Sequence, residues 1–327
     1  MIASAMMDFL RRHWILVALA GILAAGTMWH ESLAPWTALL PQDLMVASVL
    51  RAMARGRETG AMAGARGGPA GAVLAFIVNR GVVPPLAWLA GRLLEPTLAD
   101  GLIIAAVVPC TQASAAVWTR MAGGNDAIAV ITTMSTSLAC IVATPAWLGV
   151  LASHGGEAPR SSAEMAMRLA LVVGAPILGG QLLRASGAIR LAATRRKREL
   201  SLYAQWGILA MVLAGAVESG RQIAQLEGGL AGLAGQIALM IVLTGAVHLA
   251  AWGIGFAAGG AAGLSRADRI GVAFAGSQKT LMVGLAIAID FGGLAVLPMV
   301  AYHFEQLVLA TWLAGRLRRQ AAEAGAA

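Results

Sequence analysis

The sequence predicts an all-α integral membrane protein of ten transmembrane helices, arranged as two inverted five-helix repeats whose fourth and ninth helices are broken. Three observations carry this. Of 327 residues, 58% are hydrophobic and 12% charged, about half the charged share of a soluble domain. Apolar runs near membrane length recur along the whole chain, with basic residues gathered between alternate ones. Two polar interruptions, Pro109–Ser114 and Gly276–Thr280, fall in the fourth and ninth of those runs.

The spans lie near 13–30, 38–56, 70–91, 99–122, 126–151, 164–185, 202–219, 232–258, 268–290 and 294–315. The first follows Arg11-Arg12 as a signal peptide does. It lacks a convincing small-x-small cleavage site before the next span and ends in Trp29-His30-Glu31, which predicts a retained helix. The second is interrupted by Asp43, Arg51 and Arg55, the two arginines sharing one helix face and reaching for the cytoplasmic interface. Breaks are marked by Pro35-Trp36, Gly67-Gly68-Pro69, Gly123-Gly124-Asn125, Gly155-Gly156 and Gly228-Gly229. The charged insert Arg195–Glu199 separates the repeats, approximately 13–151 and 164–316, within a single domain spanning 1–327.

Basic residues set the orientation. With an even span count both termini share a side, and that side collects Arg11, Arg12, Arg57, Arg66, Arg120, Arg190, Arg195–Arg198, Arg266, Arg269, Arg316, Arg318 and Arg319. Such a bias places both termini in the cytoplasm. An odd number of spans per half then makes the halves inverted, an architecture common among secondary transporters.

Topology also accounts for the net charge of +8 and excludes nucleic acid as its explanation. Cys110 and Cys140 lie in apolar segments and imply no disulfide framework. His-Glu-x-x-His and Gly-x-Ser-x-Gly are both missing from the sequence, so enzymatic readings lack a motif.

The polar residues at membrane depth carry the functional reading. A Lys at mid-helix costs roughly 2.5–3.5 kcal/mol on insertion scales unless it meets a partner or water, which singles out Lys279 among Ser277, Gln278 and Thr280. Pro109 withholds a backbone donor in the matching span, and Thr111, Gln112 and Ser114 follow it. Unwound backbone at this depth survives only inside protein or beside a watery cavity, so paired breaks point to a transport site. Asn125 opens the fifth span as a helix cap, and that helix then carries Thr132, Thr133, Ser135, Thr136 and Ser137. Their hydroxyls suit a small hard cation, or simply bond within the helix bundle. Asn79 and Arg80 stand five and four residues before Pro84 in the third span. Arg80 either meets an anionic group of substrate or protein, or snorkels. His248 and His303 read as helix-to-helix hydrogen-bonders more than proton relays.

Pro109–Asp126 resembles the fourth-to-fifth-span motif of the bile acid:sodium symporter superfamily. Gly276–Thr280, with Pro298 and Tyr302-His303, resembles the ninth and tenth spans of its bile-acid-symporter-like (SBF-like) branch, and Asn79 with Pro84 the third-span Gln/Asn-x4-Pro. The resemblance implies a panel and a core domain, with the fourth and ninth helices crossing at their breaks and two sodium ions behind the crossing. By motif, Ser114 and Thr133 (Thr132 in a register shifted by one) would line the first sodium site. Asn79, Gln278 and the backbone of Ala275 and Ser277 would form the second. This sequence departs from the pattern at Phe274, where the family has an acidic residue, at Ala115, commonly asparagine, and at Lys279.

The combined expectation is a secondary active transporter in a bacterial-type inner membrane, with the bilayer and a small organic anion as partners and no cofactor. Sodium ions or protons serve as coupling ions; Lys279 either stands in for sodium, making coupling sodium-independent or proton-driven, or only pins the crossing without a transport role. Alternatives are a sodium- or proton-coupled exchanger of inorganic ions, and a non-transporting membrane scaffold or regulator.

Overall fold

The computed structural model describes residues 14–39, 68–111, 114–152, 161–175, 179 and 197–326. Nearly all of the predicted second span, with Arg51 and Arg55, lies outside the described residues. So do Gln112 and the end of the sixth span.

Among the described residues every regular element is helical. The first repeat contributes α1 (Trp14–Met28), α2 (His30–Thr37) and α3 (Gly68–Ile77), the last running through a π turn (Val78–Val82) into α4 (Val83–Gly91). It continues with α5 (Pro96–Val107), α6 (Ser114–Met121) and α7 (Asp126–Leu151). Next come α8 (Ser162–Leu169), running into a second π turn (Ala170–Gly174), then α9 (Lys197–Gln225) and α10 (Gly229–Ala261). The chain ends with α11 (Arg266–Ser277), α12 (Leu281–Ala288) and α13 (Gly293–Ala326). Five stretches among the described residues are long and apolar enough to cross a membrane: Pro69–Gly91, Asp126–Leu151, Gly229–Ala261, Arg266–Phe291 and Gly293–Glu323.

The helix starts follow from local chemistry. Each start leaves backbone N–H groups without helical acceptors, and short polar side chains supply them. Glu95 accepts from the Leu98 N–H, with Pro96 preset for the first turn. Asn125 accepts from Ala127, and Ser265 from Asp268. Ser161 and Glu164 bond each other's backbone in a capping box ahead of α8.

Two breaks, the first at Pro109, shape the interior. Val108 turns to an extended conformation ahead of Pro109, ending α5, and α6 resumes at Ser114. Gln278 and Thr280 are likewise extended, so Gln278–Thr280 separates α11 from α12. The halves then pack in opposed order. α5 lies with α12, whereas α6 lies with α11, so the two broken helices run in opposite directions past one another. Leu102–Val108, Leu281–Ala288 and Ala295–Tyr302 share the largest apolar core with parts of α4 and α9. Buried residues make up 94% of the most apolar stretch of Arg266–Phe291 against 28% for Gly229–Ala261. Of the five membrane-length stretches the ninth predicted span is the most buried, and its polar break is sealed in protein.

Candidate functional site

The junction is built from backbone oxygens that local sequence sets free. Pro84 and Pro85 have no N–H to return to the turn before them. In the π turn the Val83 N–H bonds Val78, five residues back, so the carbonyls of Asn79 and Arg80 are left without a helical donor. Trp147 Nε1 fills the Arg80 carbonyl at 2.8 Å. Lys279 Nζ fills the Asn79 carbonyl at 2.6 Å and also reaches Asn79 Oδ1 at 3.1 Å.

The end of α5 supplies a second set. Its last carbonyls lack helical partners and carry the negative end of the helix dipole, which favours cations. Val108 O accepts from Lys279 Nζ at 3.3 Å, and Pro109 O from the Thr280 N–H at 2.9 Å. Val107 O accepts from Thr144 Oγ1 at 2.6 Å and from Arg80 Nη1. Arg80 Nη2 bonds Thr136 O, so the guanidinium spans α5 and α7. Of the two expectations for Arg80, snorkelling does not hold: the residue is buried, and its hydrogen bonds go to uncharged oxygens at the end of α5 and on α7.

The end of α11 mirrors this. Asn79 Nδ2 donates to the carbonyls of Ala275, Gly276 and Gln278 at 3.2, 3.1 and 3.1 Å. Ser277 O accepts from Tyr302 Oη at 2.9 Å and lies 3.3 Å from His248 Nδ1. Gln306 grips the Lys279 peptide from both sides: its Oε1 accepts the Lys279 N–H and its Nε2 donates to the Lys279 carbonyl, each at 2.8 Å.

A hydroxyl cluster adjoins these ends. Gln278 Oε1 accepts from Ser114 Oγ at 2.8 Å and Thr111 Oγ1 at 3.3 Å, and the two hydroxyls lie 2.5 Å apart. Thr133 Oγ1 donates to Thr111 O at 2.9 Å. Among the described residues Gln278 Nε2 is buried with no acceptor. Asn79, Gln278 and Lys279 are all 0% exposed; Ser114, partly buried, lies at the edge.

Asn79, Arg80, Pro109, Thr111, Ser114, Thr133, Gln278, Lys279 and the Thr280 backbone thus come together. Ser277 joins through its carbonyl, its hydroxyl turning back to Ala273 O at 2.8 Å. Thr132 does not join; its hydroxyl faces Ala72 O, 3.5 Å away. Asn125 is not in the cluster either. It caps α7 and ties Asp268 at 2.8 Å, at the far end of α11 from the break. His303 sits behind the site, 2.7 Å from Gln306 Nε2. Sequence reasoning missed Gln306 and Thr144. The available signal for Gln306 was a mid-span amide one turn beyond Tyr302, costly unless paired.

Residues 37–319 match the SBF-like CPA transporter family. A protein named as a symporter, YfeH of Escherichia coli (strain K12), is 29% identical over 72% of this chain and 70% of its own. PA2026 of Pseudomonas aeruginosa is 27% identical over the same shares. A protein of Arabidopsis thaliana named as a sodium/metabolite cotransporter, BASS4, chloroplastic, is 27% identical over 66% of this chain and 52% of its own. The paired breaks and the breadth of these matches agree: the chain belongs to the SBF-like CPA transporter family, within the bile acid:sodium symporter relationship, and is a membrane transporter.

Proposed function

We propose that the chain is a secondary active transporter of a small organic anion that runs without sodium, the Lys279 ammonium standing where a coupling cation would. The supporting observation is the shell of that ammonium: Asn79 O at 2.6 Å, Asn79 Oδ1 at 3.1 Å and Val108 O at 3.3 Å. Uncharged oxygens of this kind are what a small hard cation takes from a broken helix. The remaining groups do not fit a sodium ion. Asn79 turns its N–H donors on the carbonyls of Ala275, Gly276 and Gln278. Phe274 stands where a carboxylate would offset the cost of dehydrating the ion.

In this reading the opposed order of α5–α6 and α11–α12 reflects ten helices in two inverted repeats, with both termini on the cytoplasmic side of a bacterial-type inner membrane. Alternating access proceeds at the meeting of the breaks, which is closed in this conformation. Gln278 Nε2 and the fixed positive charges of Arg80 and Lys279 favour an anionic solute.

The test is a thermal-shift screen of the purified protein against organic anions, taurocholate included, in sodium and in choline buffers. The expectation is stabilisation by at least one anion, equal in both buffers. Steep sodium dependence that is unchanged in Lys279→Met sinks the sodium-free reading. Stabilisation by inorganic ions alone favours the exchanger, and no shift with any solute favours a scaffold.

A further inference from the structure

One ionisable side chain at the depth of the junction is left over. Glu305 lies on α13, one turn beyond Tyr302 and near the middle of the apolar stretch 294–315. Ionisable groups at that depth are costly and are kept where they work. α10 packs against α13, and Gly245 at the centre of α10 makes room for the carboxylate. A Cβ at Gly245 would stand 3.3 Å from Glu305 Oε2, 3.5 Å from Cδ and 3.7 Å from Oε1, so the carboxylate lies over bare backbone. Among the described residues Oε2 has no hydrogen-bond partner, whereas the carboxylate group has the Thr244 hydroxyl of α10 as a hydrogen-bonding neighbour.

A second unpartnered atom lies in the same seam. His248, on α10 one turn beyond Gly245, meets Tyr302 edge-on at 5.7 Å. Its Nδ1 faces Ser277 O, whereas its Nε2 is buried and, among the described residues, has no partner. The seam between α10 and α13 therefore holds an unsatisfied carboxylate oxygen and an unsatisfied imidazole nitrogen, beside the backbone that carries Lys279. Among the described residues Tyr302, on its own helix, is the titratable group that interacts with Glu305, while His303 turns to Gln306. The ammonium of Lys279 points to Asn79 and Val108.

We propose that Glu305 is the proton-binding site of the transport cycle, a step that rests on the transport reading above. The carboxylate takes one proton from the aqueous side, becoming a neutral carboxylic acid, and returns it to the other side. Nothing else is transferred. His248 Nε2 is the next acceptor in the seam. A change of one charge at mid-membrane gives the cycle a coupling step that needs no sodium.

The experiment is a pH-stepped infrared difference spectrum of the purified protein, with Glu305→Gln and Glu305→Asp. The wild type should gain a carboxylic C=O band on acidification that shifts in Glu305→Asp and is missing in Glu305→Gln. In proteoliposomes an imposed pH gradient should drive taurocholate accumulation in the wild type and Glu305→Asp but not in Glu305→Gln. A band unchanged in Glu305→Gln, or gradient-driven accumulation that survives there, overturns the assignment. A band lost in Glu305→Gln while the wild type binds no organic anion retains the proton site and overturns its coupling role; in that case the transport reading has failed by itself.

Discussion

Lys279 Nζ lies 2.6 Å from the backbone carbonyl oxygen of Asn79, two hundred positions away in the chain. That oxygen is available because Pro84 has no N–H and because the π turn hands the Val83 N–H to Val78. The Asn79 side chain meanwhile donates to the end of α11, the element that delivers Lys279. Each of the two residues thus satisfies backbone oxygens released by the other's break. The third span is held to the broken ninth by these buried hydrogen bonds together with the apolar packing of Ala75 on Val272 and Ala275.

Lys279→Met should lower the melting temperature. It leaves the carbonyls of Asn79 and Val108 buried without that donor, at about 1–3 kcal/mol apiece. Removal of a buried cation offsets part of this, since desolvating the charge was itself costly. Fluorimetric melting in detergent checks the direction. Exchanging sodium for choline should leave the wild-type melting temperature unmoved.

Gly101→Ala and Gly81→Ala should differ in sign. A Cβ at Gly101 would stand 2.4 Å from Ala295 O and 2.9 Å from its carbonyl carbon, which is backbone of α13 and cannot swing aside. The gain in helix propensity, about 1 kcal/mol, is smaller than the cost of forcing α5 from α13, about 1–3 kcal/mol or more. Gly81 has nothing nearer than Ile77 Cγ2 at 4.0 Å, so alanine there should be neutral or mildly stabilising. Melting temperatures of the two variants, measured side by side, decide it.

Arg168 and Asp290 form an ion pair that ties α8 to the turn between α12 and α13, with side chains 21% and 14% exposed. Partial burial lifts the pair above an ordinary surface bridge. Breaking it should cost about 1–3 kcal/mol. Asp290 makes a further interaction of its own, so Asp290→Asn should cost more than Arg168→Gln. A double-mutant cycle isolates the pair. A coupling energy near zero would show the contact to be incidental.

The sequence expectations fared unevenly, for reasons that differ by residue. The breaks were legible because a proline and a mid-span lysine violate strong rules, the supply of helix donors and the exclusion of charge from lipid. Helix starts were legible at Asn125, whose side chain reaches a donor two residues on. Asn125 stands apart from the hydroxyl cluster, since a cap belongs at a helix end and the junction lies at mid-helix. Arg80 was expected to meet an anionic group or to snorkel; the sequence did not show that the carbonyls at the end of α5 and on α7 would hold it buried.

Apolar content, the spacing of spans, the paired interruptions and the family motif were thus determined by the sequence alone. Each is a local property, decided by a residue and its near neighbours along the chain. Only the tertiary structure decided that Thr133 and not Thr132 faces the cluster, that Gln306 grips the Lys279 peptide, and that Lys279 ends on Asn79. Adjacent helix residues point about 100° apart, so a one-residue register choice is invisible until a neighbouring helix is in place. The partner of a freed carbonyl is likewise a matter of which distant donor the fold brings within 3 Å or so.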